Sequence, residues 1–289
     1  MRGRQNYLQR LQQLDPLENH YEIYRFMVGY EFSWEMQRSL EVALMRTFCI
    51  PSISALLDKT GEFQHRPQKR YDDTGLIVAE IAKWGYESDR GSQALHRMNA
   101  IHGRFKISNE DFLYVLSTFI YEPIRWNARF GWRLMNETER LASFYFWREV
   151  GKRMHIQDIP ETYPELERYN RDYEAQYFRY SDTNRRIGEA TCNLFLSWFP
   201  AILRSPLQSS IHTLLDDAVL EACGFPEVSP PMRSRLERLL KLRAKLVRFL
   251  PPRQQPDFFT DSRLRSYPNG YQISELGPPS IGKPSSERQ

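Results

Sequence analysis

The chain has 289 residues, of which 41% are hydrophobic and 26% charged, which is ordinary for a globular protein with a sizeable core, whereas the aromatic fraction of 13% is high. The formal net charge of +4 is small for this length and argues against a nucleic-acid-binding protein. The three cysteines lie far apart and lack the spacing of a zinc site or a disulfide framework.

Apolar residues recur at helical spacing almost throughout, and no alternating run flanked by turn residues predicts a β-hairpin. The fold class is therefore predicted as all-α. Residues 62–71 are polar and contain Pro67, so they are predicted as a loop, and Pro123 is predicted to end the helix that Ser108 caps. The predicted helices cover residues 14–30, 33–48, 51–57, 72–84, 90–105, 108–121, 137–154, 163–178, 183–199, 207–222 and 232–250.

The composition changes after residue 250. The segment from Pro251 to the end is rich in Pro, Ser and Gly and has little apolar periodicity. The predicted organisation is one helical domain, residues 1–250, followed by a tail, residues 251–289, that is extended or disordered.

No targeting or spanning segment is visible in the sequence. The first 20 residues lack the apolar region of a signal peptide, and no stretch approaches the roughly 18 uninterrupted apolar residues of a spanning helix. These features predict a protein of the cytoplasm or of a membrane surface.

The last predicted helix, residues 232–250, is strongly basic and has two interpretations. It is either a terminal helix packed on the domain with a solvated basic face, or an element that contacts a membrane surface or a partner. Its cations are Arg233, Arg235, Arg238, Lys241, Arg243, Lys245 and Arg248, against Glu237 alone. Its candidate apolar side consists of Leu236, Leu239, Leu240, Leu246 and Val247.

Two of the six histidines, His96 and His102, lie in one predicted helix. Ligands of one metal on one helix need to be three or four residues apart, so at most one of this pair binds a metal directly. The neighbouring Gly103 leaves space beside His102 for the approach of a haem face. The alternative is a core histidine whose ring is bonded to a backbone carbonyl. The apolar face around His102 consists of Leu95, Met98, Ile101 and Phe105.

A second candidate segment runs from Arg70 to Thr74. Arg70 and Thr74 could hydrogen-bond a haem propionate or polarise bound dioxygen, and Asp73 could move a proton. The alternative is a helix N-cap formed by Asp72 or Asp73 with the arginine close by.

Glu122 is an unusual carboxylate within an apolar helix. Its neighbour Arg125 predicts an ion pair at a helix end, and the alternative is a proton carrier that lines a pocket.

Three stretches resemble a known family in order and spacing. They are LLDKTGEFQHRPQKRYDDT, LHRMNAIHGRF and DFLYVLSTFIYEPIRW, and the similarity continues through FWREVGKRMHIQDIP and TNRRIGEATCNLFLSWFP. They resemble the catalytic domain shared by the fungal oxygenase MpaB and the bacterial rubber oxygenase called latex clearing protein. The resemblance covers residues 14–200, and the MpaB branch is the more similar.

This resemblance implies a globin-like helical domain that holds one haem b, with His102 as the proximal iron ligand. It also implies that Arg70 and Thr74 match an Arg-x-x-x-Thr element on the opposite side of the pocket. Rubber oxygenases carry a lysine just before that threonine, whereas this chain has Asp73. Asn99 or a carbonyl one turn back is predicted to hold the second ring nitrogen of His102.

The implied function is an oxygenase that uses haem and dioxygen to cleave a C=C bond of a prenyl or terpenoid-like apolar substrate. Two other functions stay open: a haem-binding sensor or carrier without turnover, and a haem-free helical interaction module in which His102 belongs to the core. Fold-level similarity alone does not choose among them.

Overall fold

The structure is a computed structural model that describes residues 9, 11 and 13–278. It contains thirteen α-helices in these residues and no β-strand. The all-α prediction is therefore confirmed. The helices are α1 (His20–Phe26), α2 (Ser33–Thr47), α3 (Pro51–Thr60), α4 (Glu62–His65), α5 (Pro67–Trp84), α6 (Asp89–His102), α7 (Asn109–Phe130), α8 (Glu137–Arg153), α9 (Tyr163–Tyr177), α10 (Asp182–Ser197), α11 (Ala201–Leu214), α12 (Asp217–Cys223) and α13 (Pro230–Phe249). A π-helical turn, Met27–Glu31, follows α1, and 3-10 turns occupy Phe259–Asp261 and Ile273–Glu275.

Short polar side chains begin most of the long helices, as the sequence pattern indicates. Ser108 accepts a hydrogen bond from the backbone N–H of Asp111 over 3.0 Å, which satisfies one unpaired donor of the first turn of α7. Asn136 and Glu139 form a reciprocal capping box at the start of α8. The side chains that cap helices in this way are Ser88, Ser108, Asn136, Thr162, Ser181 and Asp216.

The main core surrounds α7, the longest helix. This helix packs against α2, α8 and α9, while α1 packs on α8 and α5 packs on α6. Large side chains such as Tyr24, Tyr121 and Phe146 are almost completely buried there. The three cysteines are buried and free. The burial of α7 on several sides explains why its sequence is apolar over much of its surface.

Two proline positions differ from the sequence prediction. Residues 62–71 are not a loop, because Glu62–His65 is helical and α5 begins at Pro67. Proline is tolerated at the first helical position, where its missing N–H would have no helical partner. The helix α7 continues through Pro123 to Phe130, because buried flanking residues hold the turn around the proline. Among them, Asn127 Nδ2 donates to the Pro123 carbonyl over 2.8 Å.

The described part of the C-terminal tail, residues 251–278, is extended as predicted but packs on the helices. Phe258, Leu264, Ile273 and Leu276 are buried, and the backbone N–H of Asp257 donates to Gly29 O over 2.7 Å. This packing corrects the alternative that residues 251–278 are disordered, because the buried apolar side chains offset the entropy of ordering the segment. Residues 279–289 of the tail lie outside the described residues.

The contact between Phe259 and Gly75 of α5 provides a test of this packing. A Cβ atom at Gly75 would lie 2.6 Å from Phe259 Cε1. Gly75→Ala should therefore destabilise the protein by about 1–3 kcal/mol through overpacking. Without Phe259 on the helix, the same substitution should stabilise it by about 0.5–1 kcal/mol, because alanine is the better helix former.

Urea unfolding of Gly75→Ala in the wild-type and Phe259→Ala backgrounds measures both values. We expect opposite signs in the two backgrounds. A stabilising Gly75→Ala in the wild-type background would show that Phe259 does not pack on α5.

No single helix within residues 13–278 has both the length and the apolar composition to cross a membrane. The pair α2 and α3, which bends by 99° at a short break, passes the same test of length and composition only as a pair.

Candidate functional site

Helices α5 and α6 form an antiparallel pair that assembles the candidate site. At the end of the pair where the turn at Gly85 connects the two helices, Gly85 adopts a φ of 80°, and Arg90 Nε donates to Glu80 Oε2 over 2.7 Å. At the other end, the first turns of α5 meet the last turn of α6. Arg70 of α5 thereby lies near enough to His102 of α6 for its charge to affect the imidazole.

His102 is the last residue of α6 and presents an unpaired ring nitrogen. Its Nδ1 atom is buried and has no hydrogen-bond partner among the described residues. The pKa of His102 is lowered to about 4, first by burial and second by the positive charge of Arg70. The ring packs edge-on against Phe112 of α7, with 5.3 Å between the ring centroids. His102 is therefore a neutral imidazole at pH 7, which is the protonation state that binds a metal.

This geometry contradicts two sequence-based expectations about the ring. The core-histidine alternative expects a backbone carbonyl on the ring, and none bonds Nδ1. Asn99 does not hold the ring either, because its Nδ2 donates to the Arg153 carbonyl over 2.9 Å and its carbonyl accepts from Gly103 N. His96 is exposed on the same helix, as its six-residue offset from His102 indicates.

Arg70 and Thr74 lie one turn apart on α5 and contact each other. Arg70 donates to Thr74 Oγ1, and the Thr74 hydroxyl donates to the Arg70 carbonyl over 3.0 Å. The Arg70 guanidinium lies over the ring of Phe63, 5.3 Å from its centroid. Burial lowers the pKa of Arg70, although the charges of Asp73 and Glu62 oppose this effect. Among the described residues no carboxylate forms an ion pair with Arg70, so no direct contact neutralises its charge.

Asp73 takes part in a different set of contacts. It is buried and accepts from Lys69 Nζ at 2.8 and 3.0 Å and from the hydroxyl of Tyr267. Lys69 also donates to the Gly277 carbonyl over 3.0 Å. Since α5 begins at Pro67, neither Asp72 nor Asp73 is the N-cap that the alternative predicted. The carboxylate of Asp73 thus joins α5 to the C-terminal segment, while Arg70 and Thr74 contact each other.

The residues of this site fit a haem iron. A haem supplies four nitrogen ligands itself and needs one protein ligand, which a neutral histidine with a free nitrogen would provide. The described residues contain no cluster of three or more His, Cys, Asp or Glu side chains that would hold a bare metal ion. An arginine without a carboxylate partner beside the histidine suits a propionate, because guanidinium groups bind carboxylates in bidentate geometry.

Glu122 belongs to a separate buried network on α7. Arg125 Nη1 donates to Glu122 Oε1 over 2.6 Å, which confirms the predicted ion pair, although it lies within α7 and not at a helix end. Burial raises the pKa of Glu122, although Arg46 and Arg125 oppose this shift. Glu122 follows Phe112 by ten residues, or about 15 Å along the helix. The network lines a cavity of about 290 Å³ that also includes Trp126, Glu174 and Asp216.

Sequence reasoning missed several residues that contact the site. Phe63 stacks on Arg70, and Phe112 packs on His102. Both lie within stretches that carry the family resemblance, so an aromatic residue in such a stretch was the signal that could have identified them as neighbours of the site. The contact between Lys69 and Tyr267 had no signal of this kind, because 198 residues separate the two.

Fold and site together define an all-helical domain in which a neutral histidine with an unpaired nitrogen lies beside an arginine that has no carboxylate partner. The chain belongs to the family described as "ER-bound oxygenase mpaB/B'/Rubber oxygenase, catalytic domain", whose model matches residues 37–250. This match confirms the resemblance seen in the sequence.

Three curated relatives have related names. The chain is 29% identical over 254 residues to "ER-bound oxygenase mpaB'" of Penicillium brevicompactum, covering 81% of this chain and 60% of the relative. It is 27% identical over 229 residues to "ER-bound oxygenase mpaB" of Penicillium roqueforti (strain FM164), covering 73% of this chain and 76% of the relative. It is 30% identical over 199 residues to "ER-bound oxygenase mpaB" of Penicillium brevicompactum, covering 62% of this chain and 50% of the relative. The chain thus spans 60% of the first of these relatives and half of the third.

Proposed function

We propose that this protein is a haem b-dependent oxygenase that uses dioxygen to cleave a C=C bond in a prenyl or terpenoid-like apolar substrate. The observation that carries the proposal is the neutral imidazole of His102, whose buried Nδ1 has no partner among the described residues. The family's description as an oxygenase catalytic domain supports the reaction class. The rubber oxygenases in that description support an apolar polyprenyl-like substrate.

Each residue of the site would have a distinct task. His102 would bind the iron on its proximal side through a ring nitrogen. Arg70 would donate hydrogen bonds to a propionate or to dioxygen, and Thr74 would hold the guanidinium in place through the contact seen here. Haem, when bound, supplies the dioxygen chemistry that amino-acid side chains lack. Asp73 would have a positioning task, because Lys69 and Tyr267 already bind its carboxylate.

The overall reaction balances without an external reductant. The C=C bond of the alkene and the O–O bond of dioxygen break, and two C=O bonds form. Both oxygen atoms enter the products, so one dioxygen is consumed for each alkene cleaved. The protein's contribution would be to position the alkene and to exclude water from the site.

Oxygen uptake and carbonyl formation test this proposal on the haem-loaded protein. We expect uptake with a prenyl alcohol of four isoprene units and none with its fully saturated analogue, with carbonyl products trapped as hydrazones. Arg70→Met should lower the rate by about 100-fold, the loss typical for one preorganised donor. Arg66→Met, at an exposed position one turn earlier, is the matched control and should retain the wild-type rate.

A haem-loaded protein that consumes no oxygen and forms no carbonyl product with any prenyl substrate would contradict the cleavage reaction. That outcome would favour the sensor or carrier function. Equal rates for Arg70→Met and Arg66→Met would contradict the task assigned to Arg70.

A further inference from the structure

The exposed large apolar side chains concentrate on two neighbouring helices. Nine of the thirteen in the described residues lie on α11, on α13 or directly beside them, and these two helices pack against each other. Ile202 is 85% exposed and Phe249 is 76% exposed, which are the two highest values of the thirteen. A concentration of this kind marks an interaction surface, whereas single exposed apolar residues are ordinary. The nine residues are Phe199, Ile202, Leu203, Met232, Leu239, Leu242, Leu246, Phe249 and Leu250.

Helix α13 is divided lengthwise into three faces. One face packs on the domain and includes Leu236, Leu240, Ala244 and Val247, which are buried or partly buried. Of the sequence-predicted apolar side, Leu236, Leu240 and Val247 therefore face the domain, whereas Leu239 and Leu246 are exposed. The second face is an exposed apolar stripe whose members are spaced three or four residues apart, as on one side of a helix. Its members are Leu239, Leu242, Leu246 and Phe249, and the exposed Leu250 follows directly after the helix.

The third face is exposed and basic. It carries Arg238, Lys241 and Lys245, none of which forms an ion pair with an Asp or Glu side chain in residues 13–278. The charges that face the domain are paired: Arg243 Nη1 lies 2.6 Å from Glu35 Oε1, and Glu237 Oε1 lies 2.6 Å from Arg129 Nη2. The excess positive charge of α13 is thus directed to solvent, next to the apolar stripe.

We propose that the exposed surface of α11 and α13 docks on a bilayer of anionic lipids. A helix that lies in the membrane interface has an apolar face that enters the headgroup and acyl boundary and cations that meet anionic headgroups. The apolar stripe and the basic face of α13 are adjacent and match these two layers. A symmetric contact with a second copy would bring two basic faces together, which like-charge repulsion disfavours. This surface is independent of the proposed reaction at His102.

Vesicle co-sedimentation of the full chain tests the proposal. We expect the wild type to sediment with vesicles of 70% phosphatidylcholine and 30% phosphatidylserine, and at least tenfold less with pure phosphatidylcholine. The double variant Leu246→Glu/Phe249→Glu should lose binding. Lys241→Glu/Lys245→Glu should weaken it at least tenfold, since each cation near an anionic surface contributes about fivefold.

Two control variants match these substitutions at other exposed sites. Leu134→Glu replaces an apolar side chain that is 67% exposed, and Lys59→Glu/Arg168→Glu replaces two exposed cations. Both controls should sediment as the wild type does, and all variants should retain the wild-type circular dichroism and melting temperature.

Failure of the wild type to sediment with anionic vesicles would overturn the proposal. So would equal sedimentation of Leu246→Glu/Phe249→Glu and Leu134→Glu. Light scattering after gel filtration tests the alternative occupant, a second copy of the chain. If the wild type does not bind vesicles but forms a dimer that Leu246→Glu/Phe249→Glu dissociates, the surface is a dimer interface.

Discussion

Replacing Arg46 by methionine should lower the free energy of unfolding by about 3 kcal/mol, because Glu174 and Asp216, which are partly buried, lose the cation that they share. Arg46 is buried, and its Nε lies 2.9 Å from Glu174 Oε1 and 3.4 Å from Glu122 Oε1. It also donates to Asp216. Burial alone would lower the pKa of Arg46, but the three carboxylates raise it above its ordinary value.

The expected loss of unfolding free energy comes from the carboxylates that no longer have Arg46 as a partner. In the Arg46→Met variant, Glu122 retains Arg125, but Glu174 and Asp216 lose their closest cation. Urea unfolding measures the difference, with Arg185→Met as the control. Arg185 pairs with Glu189 on the surface, where an ion pair contributes about 0.5 kcal/mol. Equal losses in the two variants would mean that the network around Arg46 does not stabilise the fold.

The helices were predictable from the sequence wherever local chemistry decides them. Ser108 and its acidic first turn predicted the start of α7, and the structure has the cap at this serine. The sequence pattern is misleading at Pro67 and Pro123, where it predicts a loop and a helix end. A proline costs little at the first position of a helix, and within α7 the buried surroundings of Pro123 outweigh its cost. Tertiary packing of this kind leaves no local pattern in the sequence.

The packing of the C-terminal segment could not be predicted. Its buried residues Phe258, Leu264, Ile273 and Leu276 are spaced irregularly and lie among prolines and glycines, so no period identifies them. Two aromatic rings of the segment pack on glycines far away in the chain, Phe258 on Gly29 and Phe259 on Gly75. The composition of the segment is therefore consistent with disorder. Residues 251–278 pack because the folded helices offer a surface that accepts their apolar side chains, and the sequence does not show this surface.

The candidate site was predictable in part. The residues that the resemblance singled out, Arg70, Thr74 and His102, lie at one end of the α5–α6 pair, where the charge of Arg70 acts on His102. Asp73 lies on the same helix but contacts Lys69 and Tyr267. Its side chain points to a different side of α5 from those of Arg70 and Thr74, because it is only one residue away from Thr74. The contact with Tyr267 depends on a residue nearly two hundred positions later in the chain, which a motif cannot show.

Replacing His102 by alanine should abolish or strongly reduce haem binding without unfolding the domain. The substitution removes the one imidazole in the described residues whose Nδ1 is buried without a partner, and those residues contain no cluster of metal ligands that could replace it. His96→Ala is the matched control, because His96 is exposed on the same helix. Circular dichroism should give the same helix content for both variants and the wild type.

The most direct test of the proposed haem site is the absorption spectrum and pyridine haemochrome of the wild type, His102→Ala and His96→Ala, each expressed with ample haem. We expect a Soret band with about one haem b per chain in the wild type and in His96→Ala, and its loss or shift in His102→Ala. A folded wild type without haem, or an unchanged spectrum in His102→Ala, would contradict the proposed site.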